Sequence, residues 1–455
     1  MNKHEKFSFP NLEALEHKIS SLGLSIPLSE DLKPFEHSLE INGNKCPNRI
    51  AVLPMEGCDS EADGSPSKLV YRRYKRFFEG GAGLIWWEAN AVVQEGRANE
   101  LQMMLTSKNQ KSFSHLLETS ILAGKAVNGE CYQPISILQL THSGRYSRPV
   151  GHKPQPLIPQ HDPILDPRLG IGPDDPLISD AYLDSLIEAY VHSARLAEEA
   201  GFDGVDIKAC HRYLISELLA SHTREGCYGG SFENRSRLLL KIIEEVRAQT
   251  NPNFIVACRF NVFDAHPYPY GFGVEKNDFW KFDPSEPILL VKRMIESGVN
   301  LLSNSAGNPY YIYPQVTRPF DLSSEGIPVP EEHPLKSIER LFSFTEEIQK
   351  TAGKIPVVGN GYSWLREFMP FAGAANVRLG RCSLMGIGRN SFAYPDAPKD
   401  ILMKGMLDKD KCCITCSKCT QMMRDHGTTG CVIKDAAIYA PLYRHYHKEA
   451  QLRAR

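Results

Sequence analysis

Nowhere in the 455 residues does an uninterrupted apolar run reach the length needed to span a bilayer. The opening Met1-Asn2-Lys3-His4-Glu5-Lys6, running into Phe7-Ser8-Phe9-Pro10, lacks the apolar core of a secretory signal. Both absences predict a cytoplasmic protein with no membrane partner. No block of Lys or Arg stands out, and 52 basic against 54 acidic side chains leave a formal net charge of −2, so nucleic acid is not an expected partner. No G-x-G-x-x-G follows a strand and precedes a helix, which removes the obvious signal of a Rossmann nucleotide site. Structural zinc usually takes its cysteines in two separated pairs, and that pattern is missing too. Without a secretory signal, the twelve cysteines read as reduced thiols and cluster ligands instead of disulfides.

What the chain does have is Cys412-Cys413-Ile414-Thr415-Cys416-Ser417-Lys418-Cys419, followed by Cys431. Cys413, Cys416 and Cys419 are each two residues apart, and eleven residues separate Cys419 from Cys431. Three thiolates on one tight loop, with a fourth returning from the next turn, is how a protein holds a cubane [4Fe–4S] cluster. A zinc site and a set of reduced buried thiols are the competing readings, and Cys412 is an adjacent spare that could replace Cys413. A cluster of this kind carries electrons, so the remaining sequence is read for redox chemistry.

Hydrophobic residues at 42% and charged residues at 23% are ordinary for a globular protein with a large core, and the length allows more than one domain. Short β-rich runs at 49–54, 83–88, 135–139, 204–208, 254–259, 299–303, 355–359 and 376–380 each stop at Gly, Pro or a polar residue. Amphipathic stretches at 67–78, 181–200, 234–249, 287–297 and 334–352 lie between them. Eight strand–helix alternations predict an α/β fold, a (β/α)₈ TIM barrel, with a C-terminal iron–sulfur-binding extension. The Pro-rich stretch 146–180 is expected to form a long loop at the catalytic mouth. The stretches 261–285 and 304–330 carry Phe263, His266, Tyr268, Tyr270, Phe272, Tyr310, Tyr311 and Tyr313. They predict an aromatic wall for a flat or bulky ligand, unless these rings simply pack the loops.

Catalytic groups in such a barrel sit where the strands end. Those ends read Pro54-Met55-Glu56-Gly57, Glu88-Ala89, Gln139 through Arg145, Lys208-Ala209-Cys210-His211-Arg212-Tyr213, Arg259, Ser305-Ala306-Gly307, Gly359-Asn360-Gly361 and Gly380-Arg381. Glycines after the last two strands, one with an adjoining Arg, predict a backbone-amide phosphate cradle.

Taken in order, these motifs resemble the Old Yellow Enzyme family of FMN-dependent ene-reductases. They are most similar to its branch with 2,4-dienoyl-CoA reductase and trimethylamine dehydrogenase, in which a [4Fe–4S] cluster follows the barrel. The resemblance runs from about residue 36 to 435. It rests on Asn48-Arg49-Ile50 through Pro54-Met55, Gln139-Leu140-x-His142-x-Gly144-Arg145, Tyr228-Gly229-Gly230-Ser231-x-Glu233-Asn234-Arg235, Gly380-Arg381 and the cysteine run. It implies FMN on the barrel mouth, with backbone from Pro54, Met55 and Ala89 near the ring. Gln139 would face the pyrimidine edge and Arg259 would add positive charge there, while Gly361, Gly380 and Arg381 would hold the phosphate. Tyr213 matches the family's proton donor. The usual His-x-x-His or His-x-x-Asn anchor for a substrate carbonyl reads Lys208-x-x-His211 here. Lysine is longer and more flexible than histidine, so its head is expected to pair with Asp206 or Glu56. Glu56 stands where a Cys or Thr often tunes the flavin; an anion there opposes reduction unless neutralised, which predicts a Glu56–Lys208 pair.

The resemblance implies an ene-reductase acting on an α,β-unsaturated carbonyl compound such as a bulky enone, a steroid among them, or an enoate. The alternative is an amine dehydrogenase-type flavoprotein that passes electrons out through the cluster, and a third reading is a non-enzymatic electron-transfer subunit. Residues 1–35 are expected to form an N-terminal extension, 36–400 the FMN-binding barrel, and 401–455 the cluster-binding segment and helix. With only 24 residues after Cys431, a second flavin- and nucleotide-binding half is not expected. Electrons would then come from a ferredoxin, a flavodoxin, an electron-transferring flavoprotein or an NAD(P)H-oxidising subunit, or directly from NAD(P)H. A homo-oligomer is compatible with all of these readings.

Overall fold

Eight runs dominated by Ile, Val, Leu and Ala are buried along almost their whole length, and each forms a strand. They are β1 Ile50–Val52, β2 Leu84–Ala91, β3 Ile135–Thr141, β4 Gly204–Ile207, β5 Ile255–Phe263, β6 Leu301–Ala306, β7 Val357–Gly359 and β8 Leu384–Ile387. Continuous apolar strands belong to parallel sheets covered on both faces. Here each strand pairs in parallel with the next and β8 returns to β1, closing a (β/α)₈ barrel. The computed structural model describes residues 3–310 and 314–453.

The covering helices are α1 Lys68–Glu79, α2 Gln110–Asn128, α3 Asp180–Glu199, α4 Phe232–Gln249, α5 Ser285–Glu296, α6 Pro334–Ala352, α7 Met369–Arg378 and α8 Ala397–Lys404. Ser67, Ser179 and Ser231 start α1, α3 and α4 by accepting a backbone N–H with the side chain, satisfying donors the first turn leaves free. Among the described residues no helix is long and apolar enough to cross a membrane.

The two ends of the barrel differ. At the N-terminal end, Leu39–Ile41 and Asn44–Cys46 form a hairpin whose Ile41 and Cys46 pack against Leu84, Ile135, Ile255 and Leu384 from the barrel interior. The C-terminal end is crossed by residues 405–435 and by α9 Lys418–Arg424 and α10 Ala436–Arg453. That segment is held from both sides. Asp435 accepts Arg72 and Arg76 of α1, each at 2.6 Å. Thr429 accepts the Cys58 amide and donates to the Glu56 carbonyl, both at 3.2 Å.

One predicted strand is misplaced. Residues 376–380 end α7, and the eighth strand is Leu384–Ile387. The β-like appearance of Val377 and Leu379 yields to packing. Gly373 lies so close to Met385 that an added Cβ would sit 2.1 Å from its sulfur, so α7 presses its small-residue face on β8. Gly380 and Arg381 therefore precede the last strand, and Arg381 pairs with Glu346 at 3.4 Å. They do not line the cavity at the strand ends. The pair at the true strand end is Gly388-Arg389.

Candidate active site

A cavity of about 510 Å³ opens where the strands end. Its walls include Pro54, Met55 and Glu56 after β1, Gln139 in β3, Lys208, His211 and Tyr213 after β4, and Arg259 in β5. Asn360 and Gly361 follow from β7, and Gly388 and Arg389 from β8. Of the residues predicted to surround a flavin, Pro54, Met55, Gln139, Arg259 and Gly361 are brought together. Ala89 is buried within β2 and is not on the wall.

The floor is fixed by one carboxylate. Asp206 accepts Gln139 Nε2 at 2.6 Å, Trp86 Nε1 at 2.9 Å and the backbone N–H of Arg259 at 2.7 Å. Burial pushes its pKa up to about 6, against the pull of those donors. Arg259 is the one residue of β5 that is not fully buried. It donates to the Pro54 carbonyl at 2.9 Å and keeps a buried Nε without a partner.

Around the substrate side, the expected Glu56–Lys208 pair forms with Lys208 Nζ 3.1 Å from the carboxylate. The same oxygen accepts the Tyr213 hydroxyl at 3.1 Å, and Gln102 holds the other at 2.5 Å. Lys208 Nζ also lies 4.0 Å above the Tyr213 ring. Tyr213 and Tyr310 share a hydroxyl–hydroxyl hydrogen bond of 2.7 Å. Burial, followed by the Glu56 charge, drives the Tyr213 pKa well above the usual phenol value, so it keeps its proton at neutral pH. Tyr310 is raised to about 12 for the same two reasons. His211 bonds Ser305 Oγ at 2.9 Å, and burial with Arg259 and Lys208 nearby holds it neutral.

The loop that presents these groups is strained. His211 and Arg212 have φ of 65° and 60°, a conformation that costs roughly 1–3 kcal/mol per non-glycine residue. Arg212 is locked by Asp264 at 3.1 Å, Asp162 at 3.3 Å and the Tyr270 carbonyl at 2.7 Å, which holds the turn in place.

Among the described residues, one ring of the expected aromatic wall reaches the cavity. Tyr310 reaches the cavity, but Phe263 and Phe272 belong to the packed core and His266 bonds Asp162 at 2.8 Å. Tyr268 packs against His222, and the Tyr270 carbonyl serves Arg212; Tyr311 and Tyr313 lie outside the described residues. The wall is instead cationic. Arg148, Lys208, Arg259, Arg318, Arg389 and Arg424 face it, with Glu56 as the one acid among the described residues. Sequence reasoning missed Arg148, Arg318, Arg389 and Arg424; only Gly388-Arg389, a Gly-Arg pair after an apolar run, carried a readable signal.

This wall fits FMN. The cavity is flanked by strand-end backbone, and a Cβ on Gly388 would project into open space beside Arg389. Arg259 Nε, Arg318 Nε and Arg389 Nη1 are buried without hydrogen-bond partners. Such orphaned cationic donors suit a phosphate and an electron-rich ring edge.

Beside it lies a smaller cavity lined by Cys413, Cys416, Cys419 and Cys431, which shares Arg389, Phe392 and Cys419 with the larger one. Cys412 points elsewhere, into the apolar cluster with Ile401 and Leu407, its thiol 3.4 Å from the Asp408 carbonyl. Backbone N–H groups of Thr415 and Lys434 donate to the sulfurs of Cys413 and Cys431 at 3.4 and 3.3 Å. Tetrahedral zinc would draw four sulfurs to within about 3.8 Å of one another, given Zn–S near 2.3 Å. Among the described residues no three His, Cys, Asp or Glu side chains converge tightly enough for a single ion.

A closed parallel barrel with a cation-lined cavity at its strand ends is suited to hold a phosphorylated cofactor. The profile of the NADH:flavin oxidoreductase / NADH oxidase family matches residues 37–268, and the chain belongs to that family. It is 32% identical over 273 residues to an NADPH dehydrogenase of Geobacillus sp. (strain WCH70), covering 59% of this chain and 71% of that protein. It is 27% identical over 373 residues to an NADH oxidase of Thermoanaerobacter brockii, covering 81% of this chain but 50% of the relative. The fold is also that of 2-naphthoyl-CoA reductase in complex with 2-naphthoyl-CoA, at a TM-score of 0.68 and 19% identity over 88% of this chain and 57% of that one. The chain thus spans about half the length of some of these proteins.

Proposed function

We propose that this chain reduces the activated C=C bond of an α,β-unsaturated carbonyl compound. FMN would occupy the larger cavity, and a [4Fe–4S] cluster would be held by Cys413, Cys416, Cys419 and Cys431. The observation that carries the reading is Tyr213: a buried hydroxyl kept protonated on the cavity wall, beside two further donors, His211 and Lys208. Pro54 and Met55 would lie along the FMN ring, with Gln139 and Arg259 at its pyrimidine edge and Gly361, Gly388 and Arg389 around its phosphate. Residues 36–400 form the barrel in this reading, 401–455 the cluster-binding segment and 1–35 the N-terminal extension.

Bound FMN supplies the hydride that adds to the β-carbon. The chain supplies the rest. N–H donors of His211 and Lys208 face the carbonyl oxygen and stabilise the enolate-like charge that develops there. Glu56 keeps Lys208 in place and tempers its charge. Tyr213 gives the proton to the α-carbon, completing addition of hydride and proton across the double bond, and Tyr310 at 2.7 Å offers the first step of its reprotonation.

Arg389, Phe392 and Cys419, common to both cavities, place the cysteine site against the flavin site and support one-electron supply through the cluster. The donor would be a ferredoxin, a flavodoxin, an electron-transferring flavoprotein or an NAD(P)H-oxidising subunit, in the cytoplasm. An anaerobic spectrum before and after NADH or NADPH separates this from direct nicotinamide reduction, which would bleach the flavin at once. The amine-dehydrogenase alternative is disfavoured by the wall itself, since six cations repel a protonated amine.

The test is anaerobic reoxidation of dithionite-reduced protein by benzalacetone, a simple aryl enone. Return of the oxidised flavin spectrum supports the reading, and Tyr213→Phe should slow it about 10²–10⁴-fold with normal flavin content. Equal rates in Tyr213→Phe remove Tyr213 as the donor. Failure of the wild type to be reoxidised by benzalacetone or its carboxylated analogue sinks the ene-reductase reading.

A further inference from the structure

Although the chain as a whole carries a formal charge of −2, its cavity is lined by six cationic side chains and one carboxylate. Glu56 answers Lys208. The remaining five are arginines, and no carboxylate among the described residues lies in ion-pair range of any of them. All five are half-buried, and partial burial of unpaired like charges is costly, so a wall of this kind is maintained against an anionic occupant.

FMN accounts for only part of that charge. Its phosphate brings about two negative charges at neutral pH, and the reduced ring brings one more. Arg389 beside Gly388 and Arg259 beside Pro54 are placed for those two ends of the cofactor, and Arg318 lies close to Arg389. Two arginines stay unanswered, Arg148 from the loop after β3 and Arg424 at the end of α9. Both sit near Tyr310, whose hydroxyl bonds that of Tyr213. Arg424 is oriented by neutral groups alone, Ser324 Oγ at 2.6 Å and the Pro309 carbonyl at 2.8 Å, which steer the guanidinium without cancelling its charge. Arg148 keeps a buried Nε with no partner.

We infer that the substrate is an unsaturated carbonyl compound that carries a second, anionic group, a carboxylate, and that Arg148 and Arg424 receive it beside Tyr310. The inference rests on the ene-reductase reading and narrows its substrate class. An oxyanion between these guanidiniums makes charge-assisted, directional hydrogen bonds, and it orients the alkene beside Tyr213. Neutral enones of the same shape lose that anchor.

The experiment uses the FMN- and cluster-loaded protein and two probes with the same reacting group, benzalacetone and 4-carboxybenzalacetone. Dissociation constants come from perturbation of the oxidised flavin spectrum, which requires no turnover. The carboxylate should bind at least about tenfold more tightly than the neutral compound, and the ratio should shrink as salt is raised. Arg148→Gln should bring the two constants close together, and Arg148→Lys should restore part of the difference, a rescue that a merely structural role would not give. Equal constants in the wild type, or a ratio unchanged in Arg148→Gln, overturn the inference. Should the ratio behave as expected while neither probe reoxidises reduced protein, the carboxylate site stands and the ene-reductase reading falls.

Discussion

Two sets of arginines surround this barrel mouth, one fully buried and one half-buried against the cavity, and they are treated in opposite ways. Arg145 and Arg212, behind the loop that carries His211 and Tyr213, are each paired with two carboxylates. Arg145 meets Glu217 at 2.5 Å and also Asp166, and Arg212 meets Asp162 and Asp264. Arg148, Arg259, Arg318, Arg389 and Arg424 face the cavity with neutral partners or none. A buried charge with every partner supplied by the chain is scaffold, because removing either side strands the other. A half-buried charge left open on a cavity wall is a ligand's half of an interaction, and its cost is borne by the free protein until an anion arrives.

That contrast is broken most severely from the paired side. Arg145→Met leaves Glu217 and Asp166 buried without their cation and should cost about 3–5 kcal/mol of stability, read by chemical denaturation. A loss under about 1 kcal/mol would mean that the network is dispensable. Asp206 offers a pH-dependent version. Burial raises its folded pKa to about 6, above the unfolded value of roughly 3.9. A carboxyl shifted this way takes up a proton on folding, so its contribution is complete below about pH 4 and lost as pH rises through about 6. Wild-type stability should therefore fall by about 2–3 kcal/mol relative to Asp206→Asn across that window. Parallel stability curves from pH 4 to 7 would contradict it.

From the open side the effect moves from stability to ligand. Arg389→Met should weaken FMN retention at least about tenfold, measured by fluorescence of released flavin, while the FMN-free protein unfolds no more easily than wild type. Destabilisation of the FMN-free protein as large as that of Arg145→Met would erase the distinction between the two sets. The smallest effect concerns the adjacent cysteines. Cys413→Ser should abolish iron–sulfur absorbance, whereas Cys412→Ser should keep the iron and lose about 1 kcal/mol for placing a hydroxyl in an apolar cluster. Iron loss in Cys412→Ser but not in Cys413→Ser would make Cys412 the ligand in place of Cys413.

Most of the barrel was legible in the linear chain because parallel strands buried on both faces are short continuous apolar runs, and seven of the eight predicted runs form strands. The eighth failed where the signal was weakest. The helix before Leu384–Ile387, rich in Ala and Gly, has little amphipathic pattern, so its last residues pass for a strand. Gly380 and Arg381 were lost with that shift, and Gly388 and Arg389 took their place. The Glu56–Lys208 pair was foreseen because both residues stand at strand ends of one small barrel. The aromatic wall was not borne out, since ring content says nothing of which way a loop turns: Phe263 and Phe272 turn into the core.

The chain by itself determined what is local. Strand periodicity set the barrel, the Cys413–Cys419 spacing set the loop of thiols, and the order of strand-end residues set Gln139, Lys208, His211, Tyr213 and Arg259 around one opening. Only the tertiary structure decided which charges were answered. Arg145 and Arg148 are three residues apart on the same loop, yet one meets Glu217 of a distant helix while the other meets open cavity. The side chain is the same in both, and its role depends on whether the fold brings a carboxylate within reach.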